Sequence, residues 1–336
     1  MSRLGTGAAI FGCEGLALTT SEHDFFRDVD PMGFIIFARN IETPTQLSRL
    51  TADLRDAVGR DAPVLVDQEG GRVQRLRAPH WREFIPPLDQ VLAAGDLTSA
   101  ARAMAFRSRL IAHELRAVGI DANCAPVADI ASELTHPFLK NRCYGTDPHT
   151  VSVIARAVAD AHLAGGVLPV IKHMPGHGRS QNDTHLDLPT VTTDRDTLIA
   201  TDFAPFAALR DVPMAMTAHI IFAAYDAEHP ATQSRVMIDV IRRQIGFQGL
   251  LMTDDLNMQA LSGTLADRTA RSMAAGCDIA LHCKGDLDQM VEVAASAGTM
   301  THATLARVQS ALALRKPPES VDIAGLEADL AALMPA

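Results

Sequence analysis

Three stretches of the chain combine side chains able to do chemistry with a backbone able to bring them together. The first, VLVDQEGGRVQR (64–75), places Asp67 where an apolar run ends and follows it with Gly70–Gly71, which permits a sharp turn close to a ligand. Arg75 then stands where it could return toward the same place, although a strand-end aspartate can also do no more than cap the next turn. The second, VIKHMPGHGRSQNDTHLDLP (170–189), carries Lys172, His173, His177, Asp183, His185 and Asp187. Its Pro-Gly and Gly breaks forbid one regular helix, and a long structured loop in a compact domain usually has a functional reason. A lone histidine is most often structural; His173, His177 and His185 with aspartates interleaved are harder to read that way. The third, GLLMTDDLNMQAL (249–261), ends a wholly apolar run on Asp254 and Asp255. Burying one carboxylate beside another is costly unless cations or hydrogen bonds compensate. One of the two could be the N-cap of a helix over LNMQAL, a role that suits Asp255 better than Asp254.

Such residues act together only if the elements that carry them converge. Short apolar runs alternate with helical patterns along the chain. The runs read as strands are 8–13, 32–37, 63–68, 119–127, 168–173, 213–219, 249–255 and 278–283. Each is apolar enough to be covered on both faces, as parallel strands are. Between them, 43–59 opens on Thr-Pro and closes on Gly59, and 98–119 repeats apolar residues at helical spacing and also ends on glycine. Eight strands in βα alternation predict a closed (β/α)8 TIM barrel rather than an open doubly wound sheet, and no GxGxxG follows the first strand. Lys316–Pro317–Pro318 breaks the Ala-rich last helix, so about 320–334 reads as a short docking helix. With no internal repeat and no Gly/Ser linker, residues 1–336 are expected to form a single catalytic barrel domain. In this fold the active site lies at the C-terminal rim of the strands. DQEGGR follows the third run, KHMPGHG the fifth, AH the sixth, and TDD closes the seventh.

Composition narrows the partners. The 336 residues are 47% hydrophobic and 21% charged, a globular balance, and carry a formal net charge of −10. Nucleic acid and anionic membrane surfaces select for basic patches, so neither is the expected partner. Five cysteines without close pairing or zinc spacing read as reduced thiols. GAAIFGC is too short and too lightly flanked by basic residues for a secretory core, and no apolar run reaches the ~18 residues of a membrane span. The expected compartment is the cytoplasm.

DQEGGRVQR, KHMPGHG followed by DTH, and MTDDLNM, in this order and at these intervals, resemble glycoside hydrolase family 3, and within it the single-domain bacterial β-N-acetylglucosaminidases of peptidoglycan recycling. The resemblance runs from IFGCEG to the last strand. It implies Asp254 as nucleophile, His185 as acid/base and Asp183 as its dyad partner. It also implies Asp67, Arg75, Arg142 of KNRCYG, Lys172 and His173 as residues that hold the sugar. The implied substrate is a small glycan, a muropeptide fragment of the N-acetylglucosaminyl–anhydro-N-acetylmuramyl type, cleaved by a monomer with no cofactor and no metal. Two positions depart from the family pattern. Met174 stands where phenylalanine is usual, with looser packing under the sugar as the expected cost, and Thr184 replaces a frequent serine. No stretch of this sequence is expected to form the second, α/β sandwich domain of larger members. In two-domain relatives it can supply a catalytic residue, so this expectation agrees with a self-sufficient loop dyad.

The chemistry stands without the name. Glycoside cleavage with retention needs a carboxylate to attack the anomeric carbon through an oxocarbenium-like state, and a proton donor for the leaving oxygen. A histidine with an ordinary pKa near ~6.5 can donate and accept at neutral pH. Two other classes stay open at this point. One is a metal-dependent barrel hydrolase using His173, His177, His185, His219 and Asp254, against which stand the Pro-Gly inside HMPGH and the lack of HEXXH or HxH spacing. The other is a non-catalytic sugar-binding barrel.

Overall fold

The apolar runs pair edge to edge, all in parallel, around a ring. The computed structural model describes residues 3–133, 135–180 and 188–334. The barrel strands are β1 (Gly7–Phe11), β2 (Pro31–Ile36), β3 (Val64–Val66), β4 (Ala122–Asn123), β5 (Leu168–Met174), β6 (Met214–Thr217), β7 (Leu250–Met252) and β8 (Ala280–His282). They follow the order β7-β6-β5-β4-β3-β2-β1-β8. A parallel bridge from Met252 to Ile279 and the bond from Thr253 N–H to the Ile279 carbonyl at 3.0 Å close the ring. The fold is a (β/α)8 barrel.

Both faces of the wall are apolar because both are covered. In β1, Ala8 and Ile10 join one buried cluster with Leu65, Val170, Met214 and Leu281, while Ala9 and Phe11 join another with the helices. This two-residue alternation with no polar member is why the strands read as continuous runs.

The ladders are shorter than those runs at their functional ends. Where 119–127 reads as one strand, the regular ladder covers Ala122–Asn123, and beyond Pro126, which has no N–H to give, pairing resumes as a single bridge from Val127 to Lys172. Asn123 extends the wall with its side chain instead. Its Oδ1 accepts from Gln68 N–H at 2.9 Å and its Nδ2 donates to the Gln68 carbonyl at 3.0 Å. Asp67, His219, Asp254 and Asp255 all lie past the last paired residue of their strands, free of the pleat and at the mouth of the barrel.

Helix termini follow local chemistry. Pro44–Val58 is capped by Thr43, which accepts from Gln46 N–H, and closed by Gly59 at φ 61°. Leu97–Ala117 starts from Asp96 and ends two residues before Gly119, whose φ is 77°. LNMQAL forms turns rather than a helix, so Asp255 caps a turn through Asn257 N–H at 3.2 Å. The C-terminal helix Ile323–Ala332 lies against Leu97–Ala117, with Leu326 buried and Glu327 paired to Arg82. All five cysteines are free thiols. Among the described residues no helix is long and apolar enough to cross a membrane.

Candidate active site

One chain of charge crosses the mouth of the barrel. Arg75 Nη2 donates to Asp67 Oδ2 at 3.0 Å, and Lys172 Nζ donates to Asp67 Oδ1 at 2.8 Å. The same ammonium reaches Glu69 Oε1 at 2.6 Å. Glu69 also takes a two-pronged contact from Arg142, Nε to Oε2 at 2.9 Å and Nη2 to Oε1 at 2.8 Å. Arg142 Nη2 lies 3.4 Å from His173 Nε2, and His173 Nδ1 lies 2.6 Å from Asp129 Oδ2. Burial opposes ionisation of Asp67, but Lys172 and Arg75 override it and hold the carboxyl well below the usual range. Burial likewise opposes the Glu69 charge, and Arg142 with Lys172 holds that carboxyl down too.

The Gly-Gly turn is what lets this chain form. At Gly70, φ is 98° and an added Cβ would strike the Arg107 guanidinium, which donates to the Glu69 carbonyl. The Glu69 backbone is therefore pinned from behind while its side chain faces Lys172 and Arg142.

Asp254 stands across the cleft from these cations. Among the described residues the hydrogen bond to its carboxylate comes from Asp255 N–H at 2.8 Å. Burial pushes its pKa up, but His219, His173, that N–H and Lys172 together hold it below the ordinary value. The carboxylate is thus ionised and lightly bonded, as an attacking group must be. Asp255 is the opposite case. Burial raises its pKa, and Asn257 N–H and Cys283 N–H each donate to its Oδ1 at 3.2 Å. His219 steadies this turn by donating Nε2–H to the Asp255 carbonyl at 3.0 Å, its Nδ1 resting 2.8 Å from Thr232 Oγ1.

The structure brings Asp67, Arg75, Arg142, Lys172, His173 and Asp254 to the lining of one cleft, with Met216, Met258 and Leu281 supplying apolar wall. Asp183, Thr184, His185 and Asp187 lie outside the described residues. Met174 does not pack under this cleft. Its side chain is fully buried with Ile171, Phe203 and Phe222 behind the wall, which removes the reason to expect loose packing beneath a sugar. Two residues were missed by sequence reasoning. Glu69 had a signal, since it follows Asp67 by two residues and so shares its side of an extended segment. Asp129 lies two residues past the end of the 119–127 run and carried no motif of its own. Asp129, His173 and His177 each bring a potential ligand atom within 4.8 Å of the others. The shortest link there is the 2.6 Å hydrogen bond between Asp129 and His173, so a cation would have to replace that proton.

Glu69→Gln tests the charge chain. It leaves Arg142 and Lys172 facing an amide and is expected to cost about 3–5 kcal/mol of stability at neutral pH, the usual result of breaking a buried ion pair from one side. Because the folded pKa of Glu69 is depressed, its contribution is complete above the unfolded value near ~4.3 and fades as pH falls through the folded one. Scanning calorimetry should therefore show a gap in Tm between parent and variant that is full at pH 7 and narrows below about pH 4. A gap independent of pH would remove the charge from the explanation.

Comparison with known proteins agrees with this geometry. The family model described as glycosyl hydrolase family 3 N terminal domain matches residues 20–313. A protein named beta-hexosaminidase from Xanthomonas campestris pv. campestris (strain B100) is 34% identical over 284 residues, 83% of this chain and 85% of that one. The structure of a glycoside hydrolase family 3 beta-N-acetylglucosaminidase from Paenibacillus sp. str. FPU-7 aligns with TM-score 0.86 at 26% identity, covering 97% of this chain and 67% of that one. NagZ from Neisseria gonorrhoeae, in complex with N-trifluoroacetyl-D-glucosamine, aligns with TM-score 0.86 at 29% identity over 99% of both chains. A match this long, on a barrel with this rim, leaves one assignment: the chain belongs to glycosyl hydrolase family 3.

Proposed function

We propose that this protein is a retaining β-N-acetylhexosaminidase that removes a terminal non-reducing N-acetylglucosamine through a covalent glycosyl-enzyme intermediate. The observation that carries the reading is Asp254, an ionised carboxylate past the end of β7, facing a cleft whose opposite side is a chain of fixed cations and carboxylates. Asp254 attacks the anomeric carbon. His185, oriented by Asp183, protonates the leaving oxygen and then activates water. Asp67, Arg75, Arg142, Lys172 and His173 hold the sugar hydroxyls. Because each cation already pairs with a carboxylate, the site has both donors and acceptors in place before a sugar arrives. The barrel and its C-terminal helix act as one catalytic domain, and the enzyme works as a monomer in the cytoplasm. Its substrate is a muropeptide-derived glycan of the N-acetylglucosaminyl–anhydro-N-acetylmuramyl type. Relatives that carry beta-hexosaminidase and beta-N-acetylglucosaminidase names, and a neighbour holding an N-acylated glucosamine, support the 2-acetamido sugar.

The test is nitrophenol release by the purified protein. Aryl N-acetylglucosaminide should be cleaved at least tenfold faster than aryl glucoside, the size of about one lost hydrogen bond to the acetamido group. The rate should survive EDTA. Faster cleavage of the glucoside would defeat the specificity, and loss of activity in EDTA with recovery on added zinc would defeat the metal-free mechanism.

A further inference from the structure

We infer that Asp129 is a positioning residue that fixes the tautomer of His173 and thereby makes His173 Nε2 a hydrogen-bond acceptor inside the sugar cleft. The inference rests on the function proposed above for the identity of the ligand, and on hydrogen-bond geometry for everything else.

Asp129 is fully buried just beyond the fourth strand, and neither charge nor motif in its neighbourhood explains its presence. Its carboxylate is turned wholly toward the KHMPGHG segment. Oδ1 accepts from His177 N–H at 2.7 Å and from His173 N–H at 3.3 Å, and Oδ2 faces His173 Nδ1 at 2.6 Å. Nearby, Gly178 packs directly on Ile130, where an added Cβ would overlap the carbonyl oxygen. The backbones of the two segments therefore approach closely beside the carboxylate, with little slack. Burial opposes the Asp129 charge, while His173 and His177 together hold its carboxyl below the ordinary value, so it is an ionised group that can only accept. The proton between Asp129 and His173 must then sit on Nδ1.

The other end of the ring leads to the same answer. Arg142 Nη2 is 3.4 Å from His173 Nε2, and a guanidinium can only donate, so the hydrogen bond requires a lone pair on Nε2. Two independent neighbours select one tautomer, Nδ1–H with Nε2 open. His177 does not compete for the role, since it meets Asp129 through its backbone N–H and not through its ring. The consequence reaches the ligand. In the described part of the cleft Asp67 and Glu69 are acceptors already engaged by Lys172, Arg75 and Arg142. His173 Nε2 meets Arg142 only at a long 3.4 Å, so its lone pair can be taken over by a sugar hydroxyl that accepts from a cation and donates to the ring.

Asp129→Asn is the informative change because it keeps the shape. Its amide oxygen can take the two backbone N–H groups now held by Oδ1, which turns the amide N–H toward His173 Nδ1. Nδ1 must then accept, the proton moves to Nε2, and Nε2–H opposes the Arg142 N–H. Long-range 1H–15N spectra of histidine-labelled protein, with the His173 signals assigned by their loss in His173→Gln, should show Nδ1–H in the parent and Nε2–H in Asp129→Asn. Binding of N-acetylglucosamine by calorimetry should weaken about 10–100-fold, in line with losing a ligand hydrogen bond and gaining an opposed donor. KM should rise by a similar factor with a smaller change in kcat. In a His173→Gln background the Asp129→Asn change should add less than about threefold, as expected when one residue acts through the other. Parent spectra with Nε2–H, or equal losses with and without the His173 imidazole, would overturn the inference. The parent spectrum decides the tautomer even if the variant does not fold. A parent that binds the sugar with Nδ1–H yet cleaves no N-acetylglucosaminide would sink the proposed function alone.

Discussion

Asp254→Ala is expected to lower turnover of every N-acetylglucosaminide by on the order of 10⁴-fold or more, the scale seen when a covalent nucleophile is removed. No leaving group should escape this loss, because both half-reactions pass through the bond that Asp254 makes. The choice of Asp254 over its neighbour comes from their surroundings. Asp255 spends Oδ1 on Asn257 and Cys283 N–H and is pushed toward neutrality by burial. Asp254 accepts from Asp255 N–H and is held ionised by the histidines and Lys172 around it. A slow fluorinated substrate should trap the intermediate, and peptide mass spectrometry should place the sugar on Asp254. A label on Asp255 or Asp67 would contradict the assignment. Asp254→Ala should still bind N-acetylglucosamine, since the charge chain from Arg75 to Asp129 does not depend on it.

His185→Ala is expected to cost about 10²–10⁴-fold on a natural disaccharide, the usual range for general acid catalysis. The motivation lies in the sequence, where Asp183 and His185 stand two apart in a Gly-flanked stretch after β5. A carboxylate bonded to one imidazole nitrogen fixes the tautomer and leaves the other nitrogen for the glycosidic oxygen. A sugar hydroxyl leaves poorly without a proton, whereas an activated phenol hardly needs one. With an aryl substrate the first step should suffer little, and the second should become limiting for want of a base. Added azide attacks without a base, so it should restore turnover in part and yield a β-glycosyl azide. Asp183→Ala should follow the same pattern more mildly. Equal losses for all leaving groups, with no rescue, would make this pair a loop support and leave the acid/base to be found elsewhere.

Much of the frame was legible because its causes are local. Thr43, Pro44 and Gly59 announce a helix within their own turn, and the helix runs between them. The eight apolar runs announce buried strands, and each contributes to the barrel. Errors gather where a local signal meets a non-local one. The 119–127 run looks like one long strand, yet its ladder breaks after Asn123 and resumes only as a bridge at Val127, since Pro126 cannot donate and Asn123 turns its side chain to the wall. LNMQAL has a helical look, yet Asn257 serves the Asp255 turn with its N–H and the neighbouring strand end at His282 with its side chain. Met174, read against a family pattern as a floor for the sugar, points behind the wall because the register of β5 shifts between Ile171 and Met174, so it no longer shares the side of Lys172.

By itself the sequence determined the alternation of strands and helices, hence the barrel, and which residue types stand at the strand ends where a barrel puts its chemistry. Those properties are carried by spacing of two and of about 3.6 residues and by caps and breaks, all readable within a dozen positions. Only the tertiary structure decided that Lys172 lies between Asp67 and Glu69, that Arg142 grips Glu69 across 73 positions, and that Asp129 holds His173. Such pairings depend on the stagger of neighbouring strands around the ring and on where each chain leaves the ladder. A buried charge needs a partner within about 4 Å, and no periodicity along the chain says which distant residue the closed barrel will bring there.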